Sequence, residues 1–240
     1  MTDEVTEFFN ALPRPPKKVK EAPEKKPKTT KGQRDTRDQL MAVLEFFENP
    51  ALTFSPTGPI YIGIDCGKSG AIGLFYPQAP GITTAVDIPT MIMGRTGKTK
   101  KRIVKGKEVG GNPRTKTSFD EGMIWRYVQV WKDWVHRLMI CIEEGSPRPE
   151  DRGTTGFAVG YGYGMWPLFL RSHGFSVETV LPAVWKGRMG LSGKDKEWSR
   201  LMAQRLWPQA PLWRKCDDGR AEALLLAEYS RRQRLRVEGE

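Results

Sequence analysis

Cysteine is scarce and scattered in this chain: Cys66, Cys141 and Cys216 are the only three in 240 residues. With an odd number, wide separation and no CxxC spacing, neither a disulfide framework nor a zinc site is indicated, and a reducing compartment fits best. Cys66 and Cys141 follow apolar, strand-like runs and are expected to be small buried fillers. Histidine is rarer still. His136 and His173 belong to no cluster and are expected at the surface or at a helix end. No run approaches the roughly 18 apolar residues that a membrane span needs. The first residues, MTDEVTEFF, carry early acids and no apolar core of a signal sequence, so neither secretion nor organelle targeting is expected. No internal repeat is visible.

Positive charge, by contrast, is abundant. Lys and Arg number 39 against 28 Asp and Glu, giving a net charge of +11 and a pI near 9.6. Such a balance says nothing of the fold but favours a polyanionic partner, most simply nucleic acid. The length suits one α/β domain with appendages or two small domains, and 38% hydrophobic and 28% charged residues allow a packed core under a heavily charged surface. Eight tryptophans are many for this length. Core filling is their ordinary role, and stacking on bases is the alternative.

Composition divides the chain into three parts. Residues 1–36 hold a Pro- and Lys-rich stretch without apolar periodicity, PRPPKKVKEAPEKKPKTTKGQRDT, which reads as a disordered basic tail. It is either a plain linker or a phosphate-binding arm. Residues 37–58 form an accessory helix and linker, with Leu40, Val43, Leu44 and Phe47 at helical spacing. That helix could pack on the main domain or mediate self-association. From residue 59 to 240 the pattern is that of an α/β domain. Three successive strands are expected near 60–65, 71–76 and 82–88, the first two joined by a Gly- and Ser-containing turn. A basic insertion, residues 94–117, reads as a flexible loop. A helix over 118–138, a fourth strand over 139–142, a Gly-rich lead-in to a helix over 154–173, a fifth strand over 175–181 and two helices near 194–207 and 218–233 complete a mixed sheet wrapped by helices.

Acids stand where that pattern makes them expensive. Asp65 and Glu143 each end an apolar strand, and a half-buried carboxylate needs a partner. Each alone is readily a solvated strand-end residue. Were the two strands neighbours, both carboxylates would project from one sheet edge and repel unless a cation lay between them. Asp218 and Glu222 follow in DDGRAEALLLA. Their i, i+4 spacing puts both on one helix face, although an N-cap Asp and a dipole-favoured Glu would look the same. Four oxygen donors at one edge suit two Mg²⁺ ions, with Mn²⁺ as a substitute, one activating water and the other stabilising the leaving 3′-oxygen. Phosphodiester hydrolysis is the natural reaction. Glu144 adjoins Glu143 but should face the other way, and its part is open.

The order IGIDCGKSGAIG, ICIEEGSPRP, GFAVGYGYGMWPLFL, VLPAVWKGRMGL, SRLMAQRLWP and DDGRAEALLLAEY resembles RuvC-like Holliday-junction resolvases. It is closest to the chloroplast (monokaryotic-chloroplast) branch, and the likeness runs over residues 60–229. The resemblance implies an RNase H-like fold: α/β, a mixed five-stranded sheet flanked by helices. It also implies a Mg²⁺-dependent endonuclease of DNA recombination and repair that cuts four-way junctions by symmetric paired nicks. Asp65, Glu143, Asp218 and Glu222 correspond to its metal ligands and catalytic acids. Lys186 resembles a basic residue near the scissile phosphate, although a lysine after a buried Trp185 would look the same. That branch commonly carries His at the position of Asp218, so this site is the more acidic. A homodimer with two sites about a two-fold axis is implied as well. For DNA contacts the expectation falls on Lys98, Lys100, Lys101 and Arg102 of the insertion, on Lys186, and on Tyr161 and Tyr163. Those tyrosines lie among glycines that allow close backbone approach or merely tight helix packing. A cytoplasmic or nucleoid-associated protein of bacterial, phage or mobile-element origin is expected.

Three alternatives stay open at this stage. Actin-like sugar kinases share IGIDxGxxG after a strand but need a second domain with its own DxG loop. An RNase H-like nuclease with another nucleic-acid substrate would show the same sheet and acids. A non-catalytic junction-binding protein would have no use for all four acidic positions.

Overall fold

Alternation along one short strand sets the plan of this molecule. Ile60, Ile62 and Ile64 point to one side, Tyr61 and Gly63 to the other, and all five are buried. A strand buried on both faces must lie inside a sheet covered twice. The computed structural model describes residues 36–50, 52, 58–79, 81–95, 99–104, 107–111, 115–145 and 153–239. The expected basic tail lies outside the described residues except for Thr36.

In chain order the elements are α1 (Thr36–Phe47), β1 (Ile60–Ile64), β2 (Ala71–Phe75), β3 (Thr83–Asp87), β4 (Thr90–Arg95), β5 (Thr99–Val104), β6 (Lys107–Gly111) and β7 (Thr115–Phe119). There follow α2 (Glu121–Lys132), β8 (Leu138–Glu143), α3 (Gly153–Ser172), β9 (Val177–Val180), α4 (Pro182–Arg188), α5 (Lys196–Leu206) and α6 (Asp218–Glu238). The main sheet has the order β3-β2-β1-β8-β9. β1, β2 and β3 form an antiparallel meander, whereas β8 runs parallel to β1 and β9 parallel to β8. This is the α/β arrangement expected above, a mixed five-stranded sheet flanked by helices.

Each sheet face has its own core. Ile62, Ile64, Ile72, Leu74, Ile140 and Ile142 meet α1, α2 and α3 through Val43, Phe46, Tyr127, Trp131 and Trp166. On the opposite face Tyr61, Phe75 and Cys141 meet α4, α5 and α6 through Trp185, Met202, Leu224 and Leu225. α6 is buried without interruption from Arg220 to Ser230, because it lies between the sheet and α5. Of the two roles open to α1, the structure shows packing on the domain: Val43, Phe46 and Phe47 are buried, and Phe47 meets Trp134 at 5.6 Å.

The insertion departs from expectation. Rather than an unpaired loop, it holds two antiparallel ladders, β4 with β7 and β5 with β6. Thr and Val recur among its lysines, which suits a strand, and Gly94 takes φ +148° where the β4–β7 register shifts. β7 also claims Ser118 and Phe119, so α2 starts later than expected. Asp120 caps it, accepting a hydrogen bond from Met123 N at 3.0 Å. The short helix α4, opened by Pro182, was not foreseen; proline at the first helical position is a start signal that the motif reading passed over.

Candidate active site at the sheet edge

Register places two acids side by side. Ile64 pairs with Ile142 across the parallel β1–β8 ladder, so Asp65 and Glu143, the next residues, are neighbours at the same edge. Two-residue periodicity then assigns their side. Gly63 and Cys141 face α6, so Asp65 and Glu143 face it too. Both are half-buried.

What brings the helix to them is the absence of side chains. A Cβ on Gly63 would stand 2.0 Å from the Ala223 carbonyl oxygen, and one on Gly73 would stand 2.6 Å from Leu224 N. Backbone of α6 therefore lies directly on β1 and β2. At its N-terminus, a Cβ on Gly219 would meet the Ser69 carbonyl oxygen at 3.0 Å, which seats the helix start against the β1–β2 turn. Asp218 is the first helical residue, half-buried, and Glu222 sits one turn later, only 8% exposed. Lys186 on α4 donates to Glu222 Oε1 at 3.1 Å, and its Nζ lies 5.2 Å from the Trp185 ring centroid.

The electrostatics record this crowding. Burial first, then the Asp65 carboxylate, push Glu143 up to about 7, with Glu222 adding to the rise and Lys186 opposing it. The Trp185 indole N–H also favours the charged form of Glu143, while falling short of a well-formed hydrogen bond. Burial likewise raises Asp65. The Gly67 N–H, 3.3 Å from its Oδ1, works against this, Glu222 adds to it, and Lys186 and Lys196 oppose it. Three of the four expected acids thus act on one another. Asp218 is carried on the same helix one turn from Glu222. Glu144 turns its backbone N–H to the Val180 carbonyl at 2.8 Å.

A second charged cluster, missed in the sequence, fixes the start of α6. Asp217 is fully buried and accepts from Arg214 N and Nε, both at 2.7 Å. Arg220, 1% exposed, donates Nε to Asp87 Oδ1 at 2.6 Å, and Arg214 reaches the other Asp87 oxygen at 3.4 Å. Burial alone would raise the Asp87 carboxyl, but the two guanidinium groups hold it below the ordinary range. The signals were there: Asp87 is a third acid ending a strand, and Arg220 is the one cation among residues 218–230, where the helix is buried. Asp87→Ala should strand a buried guanidinium whose other nitrogens already lack partners among the described residues. The expected loss is about 2–4 kcal/mol, discounted for the part-exposure of Asp87. It is read as a lower urea midpoint at unchanged slope. Since the folded Asp87 pKa is depressed, that difference should be present at neutral pH and shrink as pH falls below about 4.

Asp65, Glu143, Asp218 and Glu222 offer only oxygen donors, the chemistry that hard divalent cations take. Their mutual repulsion is the kind a cation relieves. Among the described residues, no three acids, histidines or cysteines are already gathered in ligand positions. Lys186 is the cation that Glu222 now holds.

Of the expected DNA-contacting residues, Lys98 lies outside the described residues. Lys100, Lys101 and Arg102 lie on β5. Tyr161 is exposed on α3, while Tyr163 packs against the core beneath it. Cys66 and Cys141 are buried as expected, and burial pushes the Cys66 thiol up to about 12. His136 is exposed, and His173 sits just past the end of α3.

No family profile and no curated protein matches this chain. Among solved structures, it is similar to Thermus thermophilus RuvC in complex with a Holliday junction substrate. That match has 16% identity over 75% of this chain and 97% of the other, with a TM-score of 0.43. Thermus thermophilus RuvC alone gives 17% identity over 75% and 96%, with a TM-score of 0.40. No helix among the described residues is long and apolar enough to cross a membrane.

Proposed function

We propose that this protein is a divalent-metal-dependent DNA endonuclease that resolves four-way junctions as a homodimer, by paired symmetric nicks. The observation that carries the reading is the meeting of Asp65, Glu143 and Glu222 on one face of one sheet edge, where burial first and then the neighbouring carboxylates push Glu143 up to about 7. A structural role does not call for three carboxylates to share a half-buried edge.

Asp65, Glu143, Asp218 and Glu222 would hold the metal. Bound there, two Mg²⁺ ions would supply a nucleophilic water and stabilise the leaving 3′-oxygen. The chain's own groups do the rest. Lys186, 3.1 Å from Glu222 Oε1, stands beside these acids and would neutralise charge on a phosphate bound there. The close seat of the α6 backbone on Gly63 and Gly73 holds Glu222 on the side of the sheet that Asp65 faces. Net charge of +11 draws the polyanion in and makes affinity fall steeply with salt.

The test is cleavage of a mobile synthetic four-way junction by the full chain with Mg²⁺, beside duplex, splayed-arm and RNA–DNA hybrid controls. Symmetric nicks on the junction alone are expected. Asp65→Asn should slow them about a thousandfold or more while junction binding persists. Equal cutting of hybrid or duplex would discard the junction assignment and keep the nuclease. Tight junction binding without cutting in Mg²⁺ or Mn²⁺ would overturn the enzyme reading.

A further inference from the structure

A charge pair that the chemistry above does not use lies on the same edge as the acids. Asp87 ends β3 and pairs with Ala71 across the β2–β3 ladder, and the Ala71 carbonyl accepts from Asp65 N at 3.0 Å. Asp65, Ala71 and Asp87 thus stand in a row along the edge. Ala85, two residues before Asp87, faces α6, so Asp87 faces it as well. There Arg220 donates its Nε to the Asp87 carboxylate at 2.6 Å.

The place of Arg220 on the helix gives this contact its consequence. Asp218 and Glu222 lie two residues before and after it, and each is about 200° round the helix from it. Arg220 reaches toward β3, while Glu222 is turned to Lys186 and the neighbourhood of Asp65. Gly63 and Gly73 set how close the helix lies to the sheet, but glycine has no side chain with which to fix a rotation. The Arg220–Asp87 pair supplies that fix. Rotating the first turn about the helix axis would swing the guanidinium and both carboxylates together. Capping does not hold this turn either. Asp217 stands at the N-cap, yet its side chain makes no capping hydrogen bond, and Arg214 engages it at 2.7 Å instead. Arg214 also reaches Asp87 at 3.4 Å, so strand end, loop and helix start close into one ring.

We infer that Asp87 is a positioning residue of the acidic site: through Arg220 it sets the rotation of the first turn of α6, and hence the placement of Asp218 and Glu222 against Asp65 and Glu143. The inference rests on the reading of those four acids as ligands of a divalent cation. Affinity for such an ion depends on how closely its donors are held by the groups behind them. Stability alone does not account for the ring. An apolar pair of similar volume would serve a buried contact as well or better, whereas a charge pair fixes direction.

The test uses the full chain without DNA, so its outcome does not depend on cleavage. Mn²⁺ is titrated into the parent and its variants at a temperature where circular dichroism shows each of them folded. Free Mn²⁺ is counted by its electron paramagnetic resonance signal. Asp87→Asn keeps an oxygen for Arg220 but removes the charge, and should weaken Mn²⁺ binding about tenfold. Asp87→Glu restores the charge and should recover most of that loss. Val43→Ala, in the core of the other sheet face, is the control for stability lost elsewhere and should bind Mn²⁺ as the parent does. Should Asp87→Asn fail to fold, Arg214→Lys tests the same ring from the loop, because lysine cannot span Asp217 and Asp87 as a guanidinium does. A smaller loss of affinity is expected there. Parent affinity in the ring variants, or equal weakening in Val43→Ala, would overturn the inference and leave the ring a matter of stability. A parent that takes up no Mn²⁺ would sink the metal reading of the four acids, and the inference with it.

Discussion

Glu143→Gln should raise the stability of the metal-free protein at pH 8 by about 2–3 kcal/mol while abolishing cleavage. Burial and then Asp65 hold the Glu143 carboxyl near 7 in the folded chain, whereas in the unfolded chain it ionises near 4.3. Between those values the folded protein keeps a proton that the unfolded one has released. Stability is therefore lost as pH rises through that window, and the loss is complete above about 7. Asp65, shifted the same way chiefly by burial, adds to the slope. Glutamine has no charge to desolvate, so the variant keeps what the parent loses. Urea midpoints at pH 5 and pH 8 in chelator check this: the parent should fall markedly between them and the variant much less. Equal midpoints at pH 8 would mean that the carboxyl is not strained by its neighbours. A gain of stability joined to a loss of activity marks a functional residue, because a group kept for stability would show the reverse.

How far the sequence disclosed this site depended on the kind of signal. The five main strands and their acids were legible because apolar runs of that length must be buried, and a carboxylate ending one is conspicuous. That β1 and β8 are neighbours was an assumption of the sequence reading; only the register of Ile64 with Ile142 makes Asp65 and Glu143 adjacent. The insertion was misread because glycine and lysine are poor strand formers by composition, and backbone pairing can outweigh composition. The cluster of Asp87, Arg214, Asp217 and Arg220 was passed over because its members lie up to 133 residues apart, and their pairing exists only once β3 meets α6. The ring contacts about Tyr161 were half seen. Phe157 and Tyr161 are one turn apart on α3 and stood out together in its Gly-rich segment, but Phe119 joins them only when β7 is brought against that helix. Tyr163, two residues on, turns to the core as helical periodicity demands.

Gly63→Val should unfold the protein or bring it close to unfolding, with a loss of about 3 kcal/mol or more. Local preference runs the other way, because valine suits a buried strand better than glycine does. The penalty comes from the helix above. A Cβ at this position would stand 2.0 Å from the Ala223 carbonyl oxygen and 2.6 Å from Ala227 N. Both are backbone atoms of α6, so no rotamer change relieves the overlap. The helix must lift from the sheet, and Leu224, Leu225 and Ala227, all fully buried, lose their packing as it does. Glu222 moves with it, away from Asp65, so any folded remnant should have lost cleavage while keeping affinity for DNA. Gly164→Ala is the matched control. Nothing lies within 4 Å of its added Cβ, and alanine in mid-helix should gain roughly 0.5–1 kcal/mol. Thermal and urea unfolding of the two variants therefore separate in opposite directions. Were Gly63→Val to fold with the stability of the parent, α6 would not lie on β1 as described, and the geometry that unites the acids would fall with it.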